Sequence, residues 1–373
     1  MKSNSKTPGT AVFLIFIFAF FVANLLLPDR EFSPRENRYL QTRPEFSFSR
    51  LFSGDFTEEF EDYCADQFPL RDQWITLNAR YSQLCGKKES NGIYLCEGGR
   101  LLEPFEDITA FALQSRVDIL NNFIDQTDVP VTLGLIPGAA ELYAGLLPDG
   151  APADSQLDFT NAVYAGAEAQ CVDVAAALES HKNEYIFYRT DHHWTTLGAY
   201  YAYEAMGESL GFEPRELDNF QPVTVSEDFY GTAYSSSGYT WVGPDSIQHF
   251  VESPAELAVF NYSNGDAEAG SLYHPQQLMV KDQYTYFLGG NTPLIRLMNE
   301  TAPPSSLLII RDSYSDCLAP FLTAHFSDIH MMDLRYYRGS VTDYVRKNAI
   351  DQVLILYSVE NFSSDPSLLM LDA

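Results

Sequence analysis

Basic residues are scarce in this chain: 23 Lys and Arg stand against 51 Asp and Glu, a formal net charge of −28 over 373 residues. Binding nucleic acid requires clustered Lys and Arg to displace phosphate counterions, so that function class is excluded, and anionic lipid headgroups are disfavoured for the same reason. Cysteine is sparse as well. The five residues Cys64, Cys85, Cys96, Cys171 and Cys317 include no CxxC pair, which argues against a zinc site and against a disulfide scaffold. Only Cys85 and Cys96 are spaced to bridge across a short turn. Internal repeats and low-complexity tracts are absent. At 46% hydrophobic and 20% charged, with 23 Tyr and 26 Phe, the composition is that of a globular chain with a large core or an aromatic-rich binding surface.

Long apolar runs are absent with one exception, AVFLIFIFAFFVANLLL, residues 11–27. At 1.5 Å per residue it reaches about 25 Å, the short end of a bilayer span. Lys2 and Lys6 precede it without an acid, so the positive-inside rule leaves residues 1–10 cytoplasmic and exports the chain beyond Pro28. No A-x-A pattern comes after the run, and no cysteine precedes Cys64; the expectation is an uncleaved single-pass anchor over 11–27 rather than a signal peptide.

Residues 28–107 read as a polar, proline-spotted linker and then a helical pattern over 55–84 that Pro69 should break. From residue 108 to 373, short apolar strands alternate with helices: a helix over 108–125, strands at 131–137, 184–190, 306–313, 328–335 and 352–358, a strand running into a helix over 171–178, a helix capped by Thr195 or Thr196 that runs to about Leu210, and a helix near 341–348. That alternation predicts an α/β domain with a parallel sheet covered on both faces. Residues 212–290 are rich in Tyr, Ser, Gly and Asp and predict an inserted β-rich subdomain.

Two clusters carry chemistry. In Thr190-Asp191-His192-His193-Trp194, a carboxylate and an imidazole two residues apart can turn together, the carboxylate orienting the ring and stabilising its charged form. In Arg311-Asp312-Ser313, a serine comes after an apolar strand and opens a helix, where backbone N–H groups can hold an oxyanion. Asp191, His193 and Ser313 are the candidate catalytic set, with His192, Trp194 and Asp312 as supporting residues. Gly290 and Asn291 are candidate oxyanion donors, because Gly permits close backbone approach and an Asn amide can donate. Asp191, His192 and His193 lack a further ligand at metal spacing, so no metal or other cofactor is expected. Cys317, one turn past Ser313, is a rival nucleophile that its apolar context predicts to be buried.

RTDHHWTTLGAYYAYEAMG, LGGNTPLIRLMN, LLIIRDSYSDCLAPFLTAHFSDIHMMDLRYY and the early FSPRENRYL and DQFPLRDQW together resemble the DHHW protein family, which is similar to the alginate O-acetyltransferase group of SGNH-like enzymes. The resemblance covers nearly everything after the apolar run. It implies a flavodoxin-like SGNH core whose Asp-x-His pair precedes the serine, with Asp191 orienting, His193 as base and Ser313 as nucleophile. It also implies a polytopic membrane-bound O-acyltransferase as acyl donor and an exported or cell-surface polysaccharide as acceptor. Here His192 stands between the Asp and the His, and Arg311 stands where a Gly-led serine motif is usual. The lack of a basic groove suits a neutral or cationic glycan. The reading is a membrane-anchored, extracytoplasmic serine O-acyltransferase; its alternatives are an acetyl esterase with the same triad and a non-catalytic glycan-binding or envelope-assembly protein. In the last, Tyr230, Tyr234, Tyr239 and Trp241 would meet the sugar.

Overall fold

The computed structural model describes residues 7–36, 38–251, 257–263 and 265–372. Lys2 and Lys6, which bear on the orientation of the apolar run, lie outside them. The chain divides into two compact units, residues 1–90 with 238–240, and residues 91–237 with 241–373.

In the first unit the apolar run forms α1 (Thr7–Leu26); its segment Gly9–Leu26 is long and apolar enough to cross a membrane. The helical pattern after it splits into α2 (Asp55–Asp66) and α3 (Arg71–Leu84). The break falls where Pro69 forbids a continuous helix and Leu70 takes a left-handed φ of 59°, as expected of a proline inside a helical pattern. Arg38 pins the end of α2 through a two-pronged pair with Asp66, at 2.5 and 2.9 Å.

The second unit is built on β1 (Val131–Ile136), β2 (Gln170–Val172), β3 (Gln221–Phe229), β4 (Asp245–Val251), β5 (Ala258–Asn261), β6 (Glu268–Ala269), β7 (Leu294–Met298), β8 (Ser306–Arg311), β9 (Asp328–Met332) and β10 (Gln352–Ser358). Eight of these form one sheet in the order β6-β5-β7-β9-β8-β10-β1-β2. From β9 to β2 all neighbours are parallel; β7, β5 and β6 add on antiparallel at the other side. β3 and β4 pair only with each other. Within 212–290, β5 and β6 extend the main sheet rather than form a subdomain sheet of their own.

Helices α4 (Ala110–Gln126), α5 (Gln156–Gly166), α6 (Val174–Ser180), α7 (Thr196–Leu210), α8 (Val341–Asn348) and α9 (Val359–Ser364) complete the layers. Strand alternation sorts the side chains into two cores. Leu307, Ile309, Leu354 and Leu356 face α6 and α7. Leu308, Ile310, Val353 and Ile355 face α4, α5, α8 and α9. All eight are fully buried, each stabilising the fold by roughly 1.5–3 kcal/mol through area removed from water. A strand flanked on both faces must be apolar at every position, which is why β8 and β10 read as continuous apolar runs rather than alternating ones.

One expected strand is absent. Residues 184–190 do not join the sheet; the chain from Ile186 to Thr195 folds back on itself, with Phe187 bridging Trp194 and Thr195 N–H donating to Ile186 O at 2.9 Å. Ile186, Phe187 and Tyr188 are buried because the loop packs inward, not because it is a strand. Its polar backbone is satisfied by the buried Asp245 carboxylate, which accepts from Arg189 N–H at 3.0 Å and Thr190 N–H at 2.8 Å. A buried loop needs such a partner for its backbone groups.

Candidate active site

The two chemistry-bearing clusters meet. Ser313 opens a short 3₁₀ turn directly after β8, at the carboxyl edge of the parallel strands, where ligand sites of open α/β sheets form. Asp191, His192 and His193 occupy the tip of the 186–195 loop, just before α7, which Thr195 caps by accepting from Gly198 N–H. That loop lies tight on α7: a Cβ at Gly198 would sit 2.3 Å from Ile186 O.

The chain of contacts runs carboxylate to imidazole to hydroxyl. Asp191 Oδ1 meets His193 Nδ1 at 2.5 Å and also accepts the His193 backbone N–H at 3.0 Å. His193 Nε2 meets Ser313 Oγ at 2.8 Å. Asp191 and His193 are buried and Ser313 is half-buried. The carboxylate is anchored from its other side as well, since Oδ2 accepts from Thr232 N–H at 2.8 Å and from Thr232 Oγ1 at 3.2 Å.

Burial by itself would raise the Asp191 carboxyl, but the neighbouring His192 and His193 and the hydrogen bonds it accepts outweigh that and hold it below its ordinary value. His193 is also held below its ordinary 6.5: burial disfavours the charged ring and His192 repels it, against the opposing pull of Asp191. Near neutral pH the pair is thus a carboxylate beside a neutral imidazole. With Asp191 accepting at Nδ1, the lone pair rests on Nε2, facing the hydroxyl.

His192 points elsewhere. Its Nδ1 meets Thr232 Oγ1 at 2.7 Å, so of the two histidines only His193 reaches the serine. The ligand atoms of Asp191, His192 and His193 lie within 4.8 Å of one another, yet both ring nitrogens of His193 and both oxygens of Asp191 are already in hydrogen bonds.

The supporting residues hold the two halves together. Trp194 is fully buried and its indole N–H donates to Tyr314 O at 2.9 Å; Tyr314 OH donates back to His192 O. Asp312 bonds to neither His193 nor Ser313 Oγ. Its Oδ1 accepts Tyr314 N–H at 3.0 Å, and its Oδ2 accepts from Ser358 N–H, Ser358 Oγ and Asn361 Nδ2, each at 2.8 Å. It ties the serine turn to the end of β10. Arg311 is buried and ion-paired with buried Asp316, so the side chain standing where a glycine is usual lies in the packed interior. Cys317 is buried, and burial pushes its thiol up to about 12, so it is no thiolate nucleophile. All five cysteines are free.

Gly290 and Asn291 lie on the same sheet edge as Ser313. Leu294 pairs with Met332, and Met332 with Ile310, so the segment before β7 and the segment after β8 emerge at the same edge, with β9 between them. Asn291 is exposed, and its Oδ1 accepts from Arg335 Nη2 at 3.5 Å. Gly290 has a φ of 107°, which only glycine adopts freely. Of the aromatic residues considered for sugar contact, Tyr239 is buried, whereas the Tyr230 and Tyr234 rings lie 4.5 Å apart with Lys281 Nζ over both.

Two residues beside Asp191, His193 and Ser313 carry no signal in the sequence. Tyr284 lays its ring on His193, centroids 3.8 Å apart and planes at 11°, while its hydroxyl donates to Ser313 O at 3.2 Å. Burial lifts its phenol well above 10, so the hydroxyl stays a donor. Gly231 packs so close to Asp191 that a Cβ there would fall 2.2 Å from the carboxylate's Cβ and Oδ2. Neither position has a spacing that marks it; only the folded chain brings it to the site.

Residues 166–332 match the DHHW protein family. That DHHW region holds the Asp191–His193 loop, Gly231, Tyr284 and the Ser313 turn. A DHHW family protein from Eubacterium siraeum has a similar structure, with 26% identity and a TM-score of 0.68 over 76% of this chain and 95% of that one. Bacillus cereus PatB1, whose structure carries a sulfonyl adduct, shares the fold at 17% identity with a TM-score of 0.65, over 75% of this chain and 98% of that one. A probable alginate O-acetylase, AlgJ, from Pseudomonas syringae pv. tomato is 25% identical over 219 residues, 56% of each chain; the match thus spans about half the length of that relative. The chain is therefore similar to an O-acetylase over about half its length and has a mixed α/β fold with a large, mostly parallel sheet.

Proposed function

We propose that this protein is a serine O-acyltransferase of the SGNH-like kind, acetylating an exported or cell-surface polysaccharide through an acyl-serine intermediate. The observation that carries it is the 2.5 Å and 2.8 Å chain from Asp191 through His193 to Ser313. His193 Nε2 takes the Ser313 hydroxyl proton as Oγ attacks the donor's acyl carbon, and returns it to the leaving group. A sugar hydroxyl then loses its proton to the same nitrogen and attacks the acyl-enzyme, and the imidazolium returns that proton to the departing Ser313 Oγ. Asp191 orients the ring and stabilises the imidazolium formed in each step. Ser313 N–H donates to no described group, whereas Tyr314 N–H is taken by Asp312; Ser313 N–H and the Asn291 amide are the oxyanion donors of this reading. The similarity to a probable alginate O-acetylase supports the acceptor class. α1 would anchor the enzyme with its catalytic unit outside the cell, beside a polytopic O-acyltransferase that hands over the acyl group.

The test supplies full-length protein in detergent with p-nitrophenyl acetate and a panel of oligosaccharides. Acetyl appearing on a sugar in proportion to nitrophenol released supports transfer; acetate alone, with every acceptor, replaces it with an esterase.

The base itself sets a pH dependence. Because His193 acts as a neutral base and is held below 6.5, activity is retained on acidification until pH falls through that lowered value. The acid limb of kcat/KM against pH should therefore lie below 6.5, and a limb at or above 6.5 would contradict the assignment. At Tyr284, Tyr284→Phe keeps the ring on His193 and loses only the hydroxyl, whereas Tyr284→Leu removes the π face that favours an imidazolium. A desolvated cation–π contact of about 2 kcal/mol predicts kcat lower by roughly 30-fold in Tyr284→Leu than in Tyr284→Phe, with KM little changed. Steady-state kinetics of the two variants decide it.

A further inference from the structure

Helix α3 carries an apolar stripe that the described residues leave largely exposed, Trp74 alone being packed on α1. Leu70, just before it, and Trp74, Leu77, Tyr81 and Leu84 are spaced four, three, four and three residues apart, which places all five on one helical face. Their exposures run from 36% at Trp74 to 86% at Leu84. The stripe is about 21 Å long at 1.5 Å per residue. Ala79, on a different face of α3, is buried, and Ile75 packs against Gly238. The stripe is thus additional to the face that α3 uses for its own folding.

What lies against the stripe is indicated by α1. Trp74 belongs to the stripe and also packs on α1, its ring 5.7 Å from Phe20 and 6.2 Å from Phe16. Phe68 stacks on Phe20 at 5.5 Å, and Asn24 Nδ2 donates to Gln67 O at 3.2 Å. Phe20 and Phe16 lie six and ten residues inside Leu26, about 9 and 15 Å down the helix. A bilayer's hydrocarbon core is about 30 Å thick. If α1 crosses it, the residues beside Phe16 and Phe20 are within one leaflet. The stripe ends in an aromatic and an aliphatic side chain, Tyr81 and Leu84, and the exposed pair Lys87 and Lys88 comes next, a sequence suited to headgroup phosphates next to acyl chains.

We propose that α3 is a second membrane contact: it lies in the outer leaflet's interface with the 70–84 stripe against lipid acyl chains, so the first unit is a membrane-embedded platform rather than a linker hung from one helix. The stripe's 4-3 spacing would also suit a partner helix; the depth set by Phe16 and Phe20 favours lipid. This rests on α1 crossing the bilayer and not on the acyl-transfer reading.

The experiment places the full chain in phosphatidylcholine vesicles whose acyl chains carry bromine. In a Trp74→Phe background, Tyr81→Trp, Leu84→Trp and, as an exposed control on the far side of α3, Gln83→Trp each add one emitter above Trp194 and Trp241. The expected result is that brominated lipid removes most of the emission added at positions 81 and 84 but not at 83, and that aqueous iodide shows the reverse. Emission at 81 and 84 open to iodide and untouched by bromine would overturn the proposal in favour of a solvated helix. Emission shielded from both would overturn it in favour of a protein partner or a second copy. Resistance of the vesicle-bound chain to carbonate extraction reports the insertion of α1 separately.

Discussion

Ser313→Ala is expected to remove acyl transfer, lowering kcat/KM for p-nitrophenyl acetate by at least about 10³-fold, the scale on which one member of a nucleophile–base–carboxylate set fails. His193→Ala should fall as far, because no other described imidazole reaches Ser313 Oγ. Asp191→Asn should lose roughly 10⁴-fold by offering the wrong hydrogen-bonding group to Nδ1. His192→Ala leaves the Asp191–His193–Ser313 chain intact and should cost far less. The distinction matters because two adjacent histidines are indistinguishable by type. A sulfonyl fluoride gives an independent reading: it should label the wild type at Ser313 and leave folded Ser313→Ala unlabelled. Equal turnover in wild type and Ser313→Ala would mean that the 2.8 Å contact is structural.

The grouping of Asp191, His193 and Ser313 and most of the α/β frame are legible in the sequence for a physical reason. β1, β8 and β10 are buried on both faces, so their apolar runs are dictated by burial and visible without a structure. Ser313 can be found because it ends such a run. The 186–195 loop deceives by the same logic: Ile186 to Tyr188 are buried as a strand would be, but they pair with His193, Trp194 and Thr195 of the same loop, and the next two backbone N–H groups go to Asp245, 55 residues away from Thr190. Burial can be seen in composition, whereas pairing cannot. β5 and β6 show the same limit, being short, half-exposed additions to a sheet whose identity only register reveals. Arg311 breaks the usual glycine pattern because its side chain pairs with Asp316 in the interior. Asp312, which resembles a catalytic acid in the motif, is spent on Tyr314, Ser358 and Asn361.

Gly231→Ala is the sharpest test of how finely the carboxylate must be placed. The added methyl would stand 2.2 Å from Asp191 Cβ and Oδ2, well inside contact distance, so the carboxylate or the 231–232 backbone must move. Either movement disturbs the Thr232 N–H bond at 2.8 Å and the His193 Nδ1 contact at 2.5 Å. A displacement of about 1 Å in a positioned group costs roughly 10²-fold in rate, so kcat should drop by that factor or more while no side chain of the reacting set is altered. The effect should not be additive with Asp191→Asn, because both act on one carboxylate. A double variant no slower than Asp191→Asn alone is the expected outcome. Independent, multiplying losses would show that Gly231 matters through the stability of the 231–237 turn, which a thermal melt of Gly231→Ala beside the wild type would then register. If Gly231→Ala turns over like the wild type, the carboxylate can yield without cost, and the strict orientation assigned here to Asp191 is wrong.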